Sequence, residues 1–267
     1  MIEPMLATDF NVRIPPPKER MFPCYIMPKL DGIRAIWYQG RWQTRRGKLW
    51  NPGILDHIQP VDHGFAYDGE LYCHGLSLQQ INEAIGVNNL KPGQRAGAIQ
   101  YHIFDLVCPM WMASARREKL RSLNYGKGCV DVIHQTVGCY DTLNAIHHEH
   151  LAAGYEGSVL KPLRGQYFSG KTGWLLKYKP WDEDWFEITG AAEGIGKFKG
   201  MLGAFSLRCP RTGVLFSAGG GTDEDRAAWW ASRPRYAYVK YYGRSDANIP
   251  LKPSVLRCGN EMEDKHA

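Results

Sequence analysis

The segment PKLDGIR, residues 28–34, places a lysine, a carboxylate, a glycine and an arginine close together. A lysine attacks an electrophile only after burial or neighbouring positive charge has lowered its pKa. Arg34 supplies such a charge near Lys29, and Gly32 lets the backbone approach a ligand closely. Asp31 suits a positioning role. The alternative is a surface turn with solvated charges, and this segment alone leaves both interpretations open.

Two further lysines, Lys177 and Lys179, lie in the segment WLLKYKP. Side chains two residues apart on a strand point to the same face, so these ammonium groups repel each other unless an anion such as a phosphate lies between them. They would also lower the pKa of a third lysine nearby. A nucleophilic Lys29 requires that change, so the two segments together predict a phosphate-binding catalytic site.

Other residues suited to phosphate, sugar or metal chemistry border apolar runs that are typical of strands. Guanidinium forks match phosphate oxygens, and carboxylate oxygens are ligands that Mg²⁺ prefers. Simpler alternatives stay open, with Phe104 as a core residue and Lys161 as an edge-strand charge. The residues are Arg45 in QTRRGKLW, Asp68 and Glu70 in YDGELY, Phe104 and Asp105 in HIFDLV, and Glu156 and Lys161 in YEGSVLKP.

A cluster of histidines, His147, His148 and His150, lies in a predicted helix. His147 and His150 are three residues apart and share a helix face, which suits a metal site. No cysteine or third ligand at a suitable spacing joins them. We therefore expect this part of the helix to be an exposed face.

The elements that must position these residues predict an α+β fold class. The four prolines of residues 11–23 indicate an extended segment. Apolar and β-branched runs predict strands at CYIM, RAIWY, RWQTR, GFAYDGELYC, AIQYHIFDLV, EGSVLKP and WLLKYKP. Helices are predicted over residues 51–60 and at SLQQINEAIG, ASARREKLRSL and TLNAIHHEHLAAG. Ser77 is the predicted N-cap of the second of these helices and Gly86 its predicted end, and the last one is predicted to end at Gly154.

The composition changes at PWDEDWFEI, residues 180–188, where an acidic cluster precedes a new series of short strands. The strands FEITGAAEG, LGAFSLRCP, GVLFSAGG and AYVKYYG are accompanied by one short helix at residues 223–230. This pattern is typical of a small β-barrel such as an OB-fold. We therefore predict two domains, residues 1–182 and 183–267.

Bulk composition restricts the class of protein. The net charge of +6 and the pI near 8.9 favour an anionic partner. Seven cysteines without a CxxC pair favour reduced thiols over a disulfide framework or a zinc ribbon. No secretory signal and no apolar run long enough for a membrane span is visible. We expect a cytoplasmic protein that does not bind membranes.

The ordered motifs resemble the covalent nucleotidyltransferase superfamily and, within it, ATP-dependent DNA ligases of the minimal two-domain type, as found in phages and viruses. The family's motifs match residues 29–34, 44–45, 68–71, 104–106, 156–161 and 176–179. GIGKFKGMLGAF and GVLFSAGGGTDEDR resemble the ligase OB domain. The last motif departs from the family pattern, because IPLKPSVLRC offers only Lys252 and Arg257.

The resemblance implies a nucleotidyltransferase domain with ATP-grasp-like antiparallel sheets and helices, followed by a DNA-binding OB-fold. It implies ATP, Mg²⁺ (or Mn²⁺), nicked double-stranded DNA as partner, and a monomer. Lys29 would carry AMP, Lys177 and Lys179 would act on the α-phosphate, and Glu70 and Glu156 would hold the metal. The implied nucleotide-binding residues are Arg34, Arg45, Glu70, Phe104, Glu156, Lys161, Lys177 and Lys179. The implied DNA contacts are Arg45, Arg46, Lys48, Lys197 and Lys199.

Two alternative functions stay open. An RNA ligase or RNA-repair enzyme would use the same lysyl-AMP chemistry, and the OB-like second domain favours the DNA ligase over it. A non-catalytic nucleic-acid-binding protein on a ligase scaffold is the third possibility, and the intact lysines of both motifs argue against it. Arg46 and Lys48 suit contacts with the DNA backbone and suit plain solvated charges equally well.

Overall fold

A computed structural model describes residues 2–10, 16–49, 55–85, 95–210, 212–245 and 247–262. The chain divides into two compact units, Met1–Lys179 and Pro180–Ala267. The predicted stop at Gly86 and the first four residues of the helix predicted over 51–60 lie outside the described residues. Within the described ranges, every helix is too short or too polar to cross a lipid bilayer.

The first unit contains two five-stranded sheets, whose strands are numbered here along the chain. In the first sheet the order is β1-β12-β11-β2-β10, and only β1 and β12 pair in parallel. Its strands are β1 Met5–Asp9, β2 Cys24–Pro28, β10 Gln135–Val137, β11 Ser158–Pro162 and β12 Gly170–Tyr178.

The second sheet has the order β4-β3-β6-β7-β9, and β7 and β9 are its parallel pair. Its strands are β3 Ile33–Tyr38, β4 Arg41–Thr44, β6 Tyr67–Tyr72, β7 Gln100–Leu106 and β9 Cys129–Asp131. A separate two-stranded sheet joins β5 Gln59–Pro60 to β8 Gly126–Lys127. The short strand β5 therefore occupies the end of the segment for which we predicted a helix.

Among the described residues of the first unit there are four α-helices and a short 3₁₀ turn at Ala96–Ala98. The predicted N-cap is confirmed, because Ser77 Oγ accepts from the Gln80 N–H at 3.3 Å and its own N–H donates to the Gln80 side chain. The helices are α1 Lys18–Met21, α2 Leu78–Ile85, α3 Ala113–Arg121 and α4 Tyr140–Ala152.

Helix α1 corrects part of the extended segment predicted over residues 11–23, of which residues 11–15 lie outside the described residues. Pro17 is the N-cap, and its φ of −51° is close to the helical value while its ψ of 141° is still extended. The Met21 N–H donates to the Pro17 carbonyl and the Phe22 N–H to the Lys18 carbonyl. The turn buries Met21 in the core formed by the first sheet and α4. This burial stabilises a helical turn in a segment that its prolines alone would leave extended.

The second unit is a closed five-stranded barrel with the order β13-β14-β15-β17-β16. A helix, α5 Asp223–Ser232, connects β15 to β16 and begins with a capping box between Thr222 and Asp225. Alternate residues of β16 are buried, as expected for a strand with one face toward a barrel core. The strands are β13 Asp182–Glu193, β14 Leu202–Arg208, β15 Leu215–Gly220, β16 Tyr236–Tyr241 and β17 Ser254–Gly259. The predicted α+β class with a small β-barrel is confirmed.

Candidate active site

Lys29 lies where the chain leaves the first sheet at the end of β2 and enters the second at β3. The β2–β11 ladder pairs Pro28 with Ser158. Beyond it, the Lys29 N–H donates to the Gly157 carbonyl at 2.9 Å, and the Glu156 N–H donates to the Lys29 carbonyl at 3.3 Å. These main-chain bonds place Lys29 and Glu156 side by side at one end of the sheet.

The side chains of Lys29, Glu156 and Lys179 form an ion cluster. Each oxygen of the Glu156 carboxylate contacts one ammonium group, Oε2 that of Lys29 and Oε1 that of Lys179. Burial alone would raise the pKa of Glu156, but Lys29 and Lys179 hold it below its usual value. Sequence reasoning identified all three residues, although it gave Glu156 a metal rather than the two lysines as partners.

Two motif glycines allow the strands around this cluster to approach closely. Gly157 has φ +149°, and a Cβ atom there would lie 2.3 Å from the Tyr178 carbonyl oxygen. A Cβ on Gly32 would lie 2.4 Å from the Leu71 carbonyl oxygen of β6. Both distances are far below van der Waals contact, so these positions require glycine for steric reasons that concern the fold itself.

Glu70 lies on β6 opposite Arg34 of β3 and is half-buried. Burial raises the pKa of Glu70 to about 7, against the lowering effect of the positive charges of Arg34 and Lys29. Asp68 and Glu156 add to the increase. Glu70 is therefore a carboxyl group that titrates near neutral pH and lies within electrostatic reach of the predicted nucleophile.

Arg34 makes an internal ion pair with Asp68, and the nucleotide contact that the resemblance implies for it stays a prediction. Its Nε and Nη2 each donate to one Asp68 oxygen at 2.5 Å, and Nη2 also donates to the Met5 carbonyl at 3.1 Å. Tyr167 donates a further hydrogen bond to Asp68 at 2.6 Å. The edge of the guanidinium that suits bidentate phosphate binding is occupied by Asp68.

Phe104 is a core residue, as the simpler interpretation held. Its side chain packs in the main core of the first unit and is 8% exposed. The Arg34 guanidinium lies over the Phe104 ring at 4.7 Å. Arg34 therefore covers one face of the Phe104 ring, and the nucleotide contact that the resemblance implies for Phe104 stays a prediction.

Lys161 is neither an edge-strand charge nor open to a nucleotide. It lies on β11 in the middle of the first sheet, is fully buried, and contacts Asp105 at 2.9 Å and the Phe104 carbonyl at 2.9 Å. Arg116 binds Asp105 at 2.7 and 3.1 Å. Lys161 and Arg116 hold the pKa of Asp105 well below its usual range despite burial. This triad joins the two sheets, and the predicted nucleotide contact of Lys161 is corrected accordingly.

Lys177 and Lys179 have different partners. Lys179 joins the ion cluster, whereas Lys177 pairs with Asp9 of the parallel strand β1 at 3.2 Å. Asp9 is 60% exposed, and exposed ion pairs contribute little to stability. A phosphate could therefore displace Asp9 from Lys177 at small cost.

The predicted DNA contacts are exposed basic residues. Arg45, Arg46 and Lys48 lie on the turn after β4, where the Thr44 N–H bonds to the Lys48 carbonyl. In the second unit Lys197 lies within the 3₁₀ turn Gly196–Phe198 and Lys199 follows it, and the Lys197 ammonium group lies 3.4 Å from Asp223. The structure does not bring Arg45 into the ion cluster. Lys252 and Arg257 of the divergent last motif are exposed as well.

The histidines of α4 correct another prediction. His147 and His150 are buried rather than part of an exposed face, and of the three only His148 is exposed.

Within the described ranges no group of three His, Cys, Asp or Glu side chains could hold a metal ion. Glu70 and Glu156 still fit the mode typical of Mg²⁺, in which one or two carboxylates and substrate phosphates share the ion.

Comparisons with known proteins bear on the fold. No protein-family model and no curated protein matches the chain. A Lig E DNA ligase structure is 22% identical with a TM-score of 0.77, covering 97% of this chain and 99% of the other. Chlorella virus DNA ligase-adenylate is 22% identical with a TM-score of 0.55, covering 98% and 99%. The ATP-dependent DNA ligase of bacteriophage T7, solved with ATP, is 15% identical with a TM-score of 0.53, covering 96% and 98%.

These likenesses span nearly the whole of each chain. The protein therefore has the two-unit fold of the solved ATP-dependent DNA ligases, as the motif resemblance predicted. At identities of 15–22% the likeness establishes the fold, and the chemistry has to be argued from the side chains.

Proposed function

We propose that the chain is an ATP-dependent DNA ligase that seals nicks with a 3′-hydroxyl and a 5′-phosphate in duplex DNA. The observation that carries this proposal is the ion cluster of Lys29, Glu156 and Lys179 at the junction of the two sheets. A lysine nucleophile, a second ammonium group and a carboxylate meet there in a fold shared with solved DNA ligases.

In the first step the Lys29 amine attacks the α-phosphorus of ATP. A P–N bond forms, the P–O bond to the leaving pyrophosphate breaks, and the nitrogen loses a proton. Lys179 is placed to neutralise an α-phosphate oxygen, because its ammonium group lies against the same carboxylate as Lys29. Lys177 would exchange its exposed partner Asp9 for a phosphate oxygen.

In the second step AMP passes from Lys29 to the 5′-phosphate at the nick, and Lys29 is released as the free amine. In the third step the 3′-hydroxyl attacks that 5′-phosphate, a phosphodiester bond forms and AMP leaves. All three steps are displacements at phosphorus, for which an enzyme supplies alignment and charge neutralisation.

Mg²⁺ or Mn²⁺ would neutralise negative charge on the phosphate oxygens, with Glu70 and Glu156 as the oxygen ligands of this chain. Glu156 contacts two ammonium groups in the absence of nucleotide, so it would have to leave at least one of them. Glu70 is half-buried and has a pKa raised to about 7, so a bound cation would favour its ionised form. Glu70 is also suited to the ribose hydroxyls.

We assign adenylyl transfer to residues 1–182 and duplex binding to residues 183–267. The exposed charges of Arg45, Arg46 and Lys48 in the first unit, and of Lys197 and Lys199 in the second, support contacts with phosphates. Affinity for DNA should therefore fall as salt rises. The three residues of the cluster all come from one chain, and we propose that it acts as a monomer.

The experiment compares sealing of a labelled nick in duplex DNA with sealing of nicked or single-stranded RNA, with ATP and Mg²⁺ present. We expect the DNA nick to be sealed by the wild-type chain and by Lys171→Ala, an exposed lysine outside the cluster, and to stay open with Lys29→Ala. Preference for RNA ends would replace DNA by RNA as the substrate. Binding without sealing would support a non-catalytic nucleic-acid-binding protein.

A further inference from the structure

A polar network joins helix α4 to the strands behind the ion cluster. Ser158, the first residue of β11, is fully buried, and its Oγ lies 2.9 Å from Nδ1 of His147 and 2.8 Å from Nδ1 of His150. The His147 ring stacks on Tyr178 of β12, with centroids 3.6 Å apart and planes at 11°. The Tyr178 hydroxyl donates to Asn144 at 3.2 Å.

The hydrogen-bonding capacity of these groups fixes their protonation. A serine hydroxyl donates one hydrogen bond and accepts others, and a neutral imidazole has one N–H and one acceptor nitrogen. Ser158 is therefore satisfied when it donates to one Nδ1 and accepts from the other. Burial lowers the pKa of His147 to about 4 and also lowers that of His150, which favours neutral rings. Opposite tautomers of the two neutral rings satisfy both hydrogen bonds of Ser158.

The place of Ser158 in the sheet connects this network to the ion cluster. Ser158 pairs with Pro28 of β2 on one side and with Tyr178 of β12 on the other. Lys29 and Lys179 are the next residues after those two partners. Glu156 precedes Ser158 by two residues, so all three members of the cluster extend from the strand ends that the network holds.

We propose that Ser158, His147 and His150 are positioning residues for adenylyl transfer, because they hold these three strand ends in the register that brings Lys29, Glu156 and Lys179 into contact. The inference rests on the proposed function, since it assigns that chemistry to the ion cluster. Hydrogen bonds restrict direction as well as distance, whereas apolar packing at the same place would allow strands to shift against the helix.

A purely structural role for the network leads to a different expectation. It would lower the stability of the fold, yet leave the chemical step unchanged in molecules that remain folded. A positioning role lowers the rate at saturating ATP, because displacement of reacting groups by about 1 Å can cost about 10²-fold in rate. The maximal rate and the KM for ATP, measured well below each variant's Tm, separate the two.

The test measures formation of the covalent adenylate in Ser158→Ala, His150→Leu and His150→Asn. His148→Ala is the matched control, because His148 is on the same helix but exposed. We expect Ser158→Ala and His150→Leu to lower the maximal rate about 10- to 100-fold, with the KM for ATP changed less than about threefold. His150→Asn should recover part of the rate, because its amide can bond to Ser158, and His148→Ala should match the wild type.

Two results would overturn the positioning role. One is a wild-type maximal rate in folded Ser158→Ala, and the other is an effect confined to the KM. If the wild-type chain forms no adenylate, the proposed function itself fails. If the variants form adenylate at the wild-type rate, only the positioning role fails and the proposed function stands. Imidazole ¹⁵N chemical shifts test the network independently of activity: we expect opposite neutral tautomers for His147 and His150, and identical tautomers would contradict it.

Discussion

Lys29 and Glu156 are joined through both their main chains and their side chains. The Glu156 N–H donates to the Lys29 carbonyl at 3.3 Å, and the Glu156 carboxylate contacts the Lys29 ammonium group. The residues are far apart in sequence, yet the β2–β11 ladder leaves them little freedom to separate. This arrangement holds the proposed nucleophile at one place before any substrate binds.

Replacing Glu156 tests whether this contact matters for chemistry. Glu156→Gln keeps the size and one hydrogen-bonding oxygen but removes the charge between Lys29 and Lys179. We expect the rate of adenylate formation to fall by about 10²-fold, because two ammonium groups then repel each other and alignment is lost. Single-turnover labelling with ATP measures the rate. Glu149→Gln, an exposed position on α4, is the control, and equal rates for both variants would contradict the expectation.

The raised pKa of Glu70 predicts a pH-dependent stability. Its folded-state pKa is about 7, against 4.5 for the free side chain, so the folded protein binds the extra proton between these values. The contribution is therefore complete below pH 4.5 and is lost as pH rises through 7. Glu70→Gln should raise the free energy of unfolding at pH 8, relative to wild type, by about 1–3 kcal/mol.

Urea unfolding at pH 5 and pH 8 measures this difference, and comparison of wild type with Glu70→Gln cancels other titrations. The contribution of His147 to stability depends on pH in the opposite direction. Because its pKa is lowered in the folded state, the free energy of unfolding falls as pH drops from 6.5 toward 4. Glu118→Gln, at an exposed position, should behave like the wild type at both pH values. An equal difference for Glu70→Gln at pH 5 and pH 8 would show that Glu70 has an ordinary pKa.

The buried triad of Asp105, Arg116 and Lys161 predicts a large loss of stability on neutralisation of its carboxylate. Asp105→Asn leaves two buried cations without a counter-charge, which should cost about 3–5 kcal/mol. Asp131→Asn removes the partner of Arg117 at a more exposed site and should cost less. Chemical denaturation gives both values. A loss below about 1 kcal/mol for Asp105→Asn would mean that water reaches the triad.

Gly157 should tolerate no side chain. Gly157→Ala places a Cβ 2.3 Å from the Tyr178 carbonyl oxygen at φ +149°, so the strands β11 and β12 must separate next to Glu156 and Lys179. We expect a destabilisation of about 2–4 kcal/mol together with slower adenylate formation. Gly138→Ala is the control, since a Cβ there meets nothing within 4 Å. Equal melting temperatures for the two variants would be inconsistent with this packing.

The sequence was sufficient to predict the fold class, the barrel and most helices, because hydrophobic periodicity and capping residues are local properties. It also indicated Lys29, Glu156 and Lys179, since each follows or precedes an apolar strand at its end. Which residues approach one another across the sheet was not visible, so the sharing of Glu156 by two lysines was missed.

The wrong predictions concern residues whose partners lie on another element. In the sequence, Lys161 looks like an exposed lysine on a strand. Only the packing of the two sheets places Asp105 next to its ammonium group. The partner of Arg34 was likewise not visible in the sequence, because its bidentate pair with Asp68 spans β3 and β6. His147 and His150 resembled an exposed face because the buried hydroxyl of Ser158 comes from a different element. The roles of the exposed basic residues stay predictions.

Adenylylation of Lys29 is tested most directly by locating the AMP on the chain. The wild-type chain is incubated with ATP and Mg²⁺, digested, and its peptides are analysed by mass spectrometry with conditions that preserve the phosphoramide bond. We expect one adenylylated peptide, with AMP on Lys29, and none in Lys29→Ala. AMP on Lys177, Lys179 or another residue, or an unmodified chain under conditions in which it is folded, would contradict the central claim.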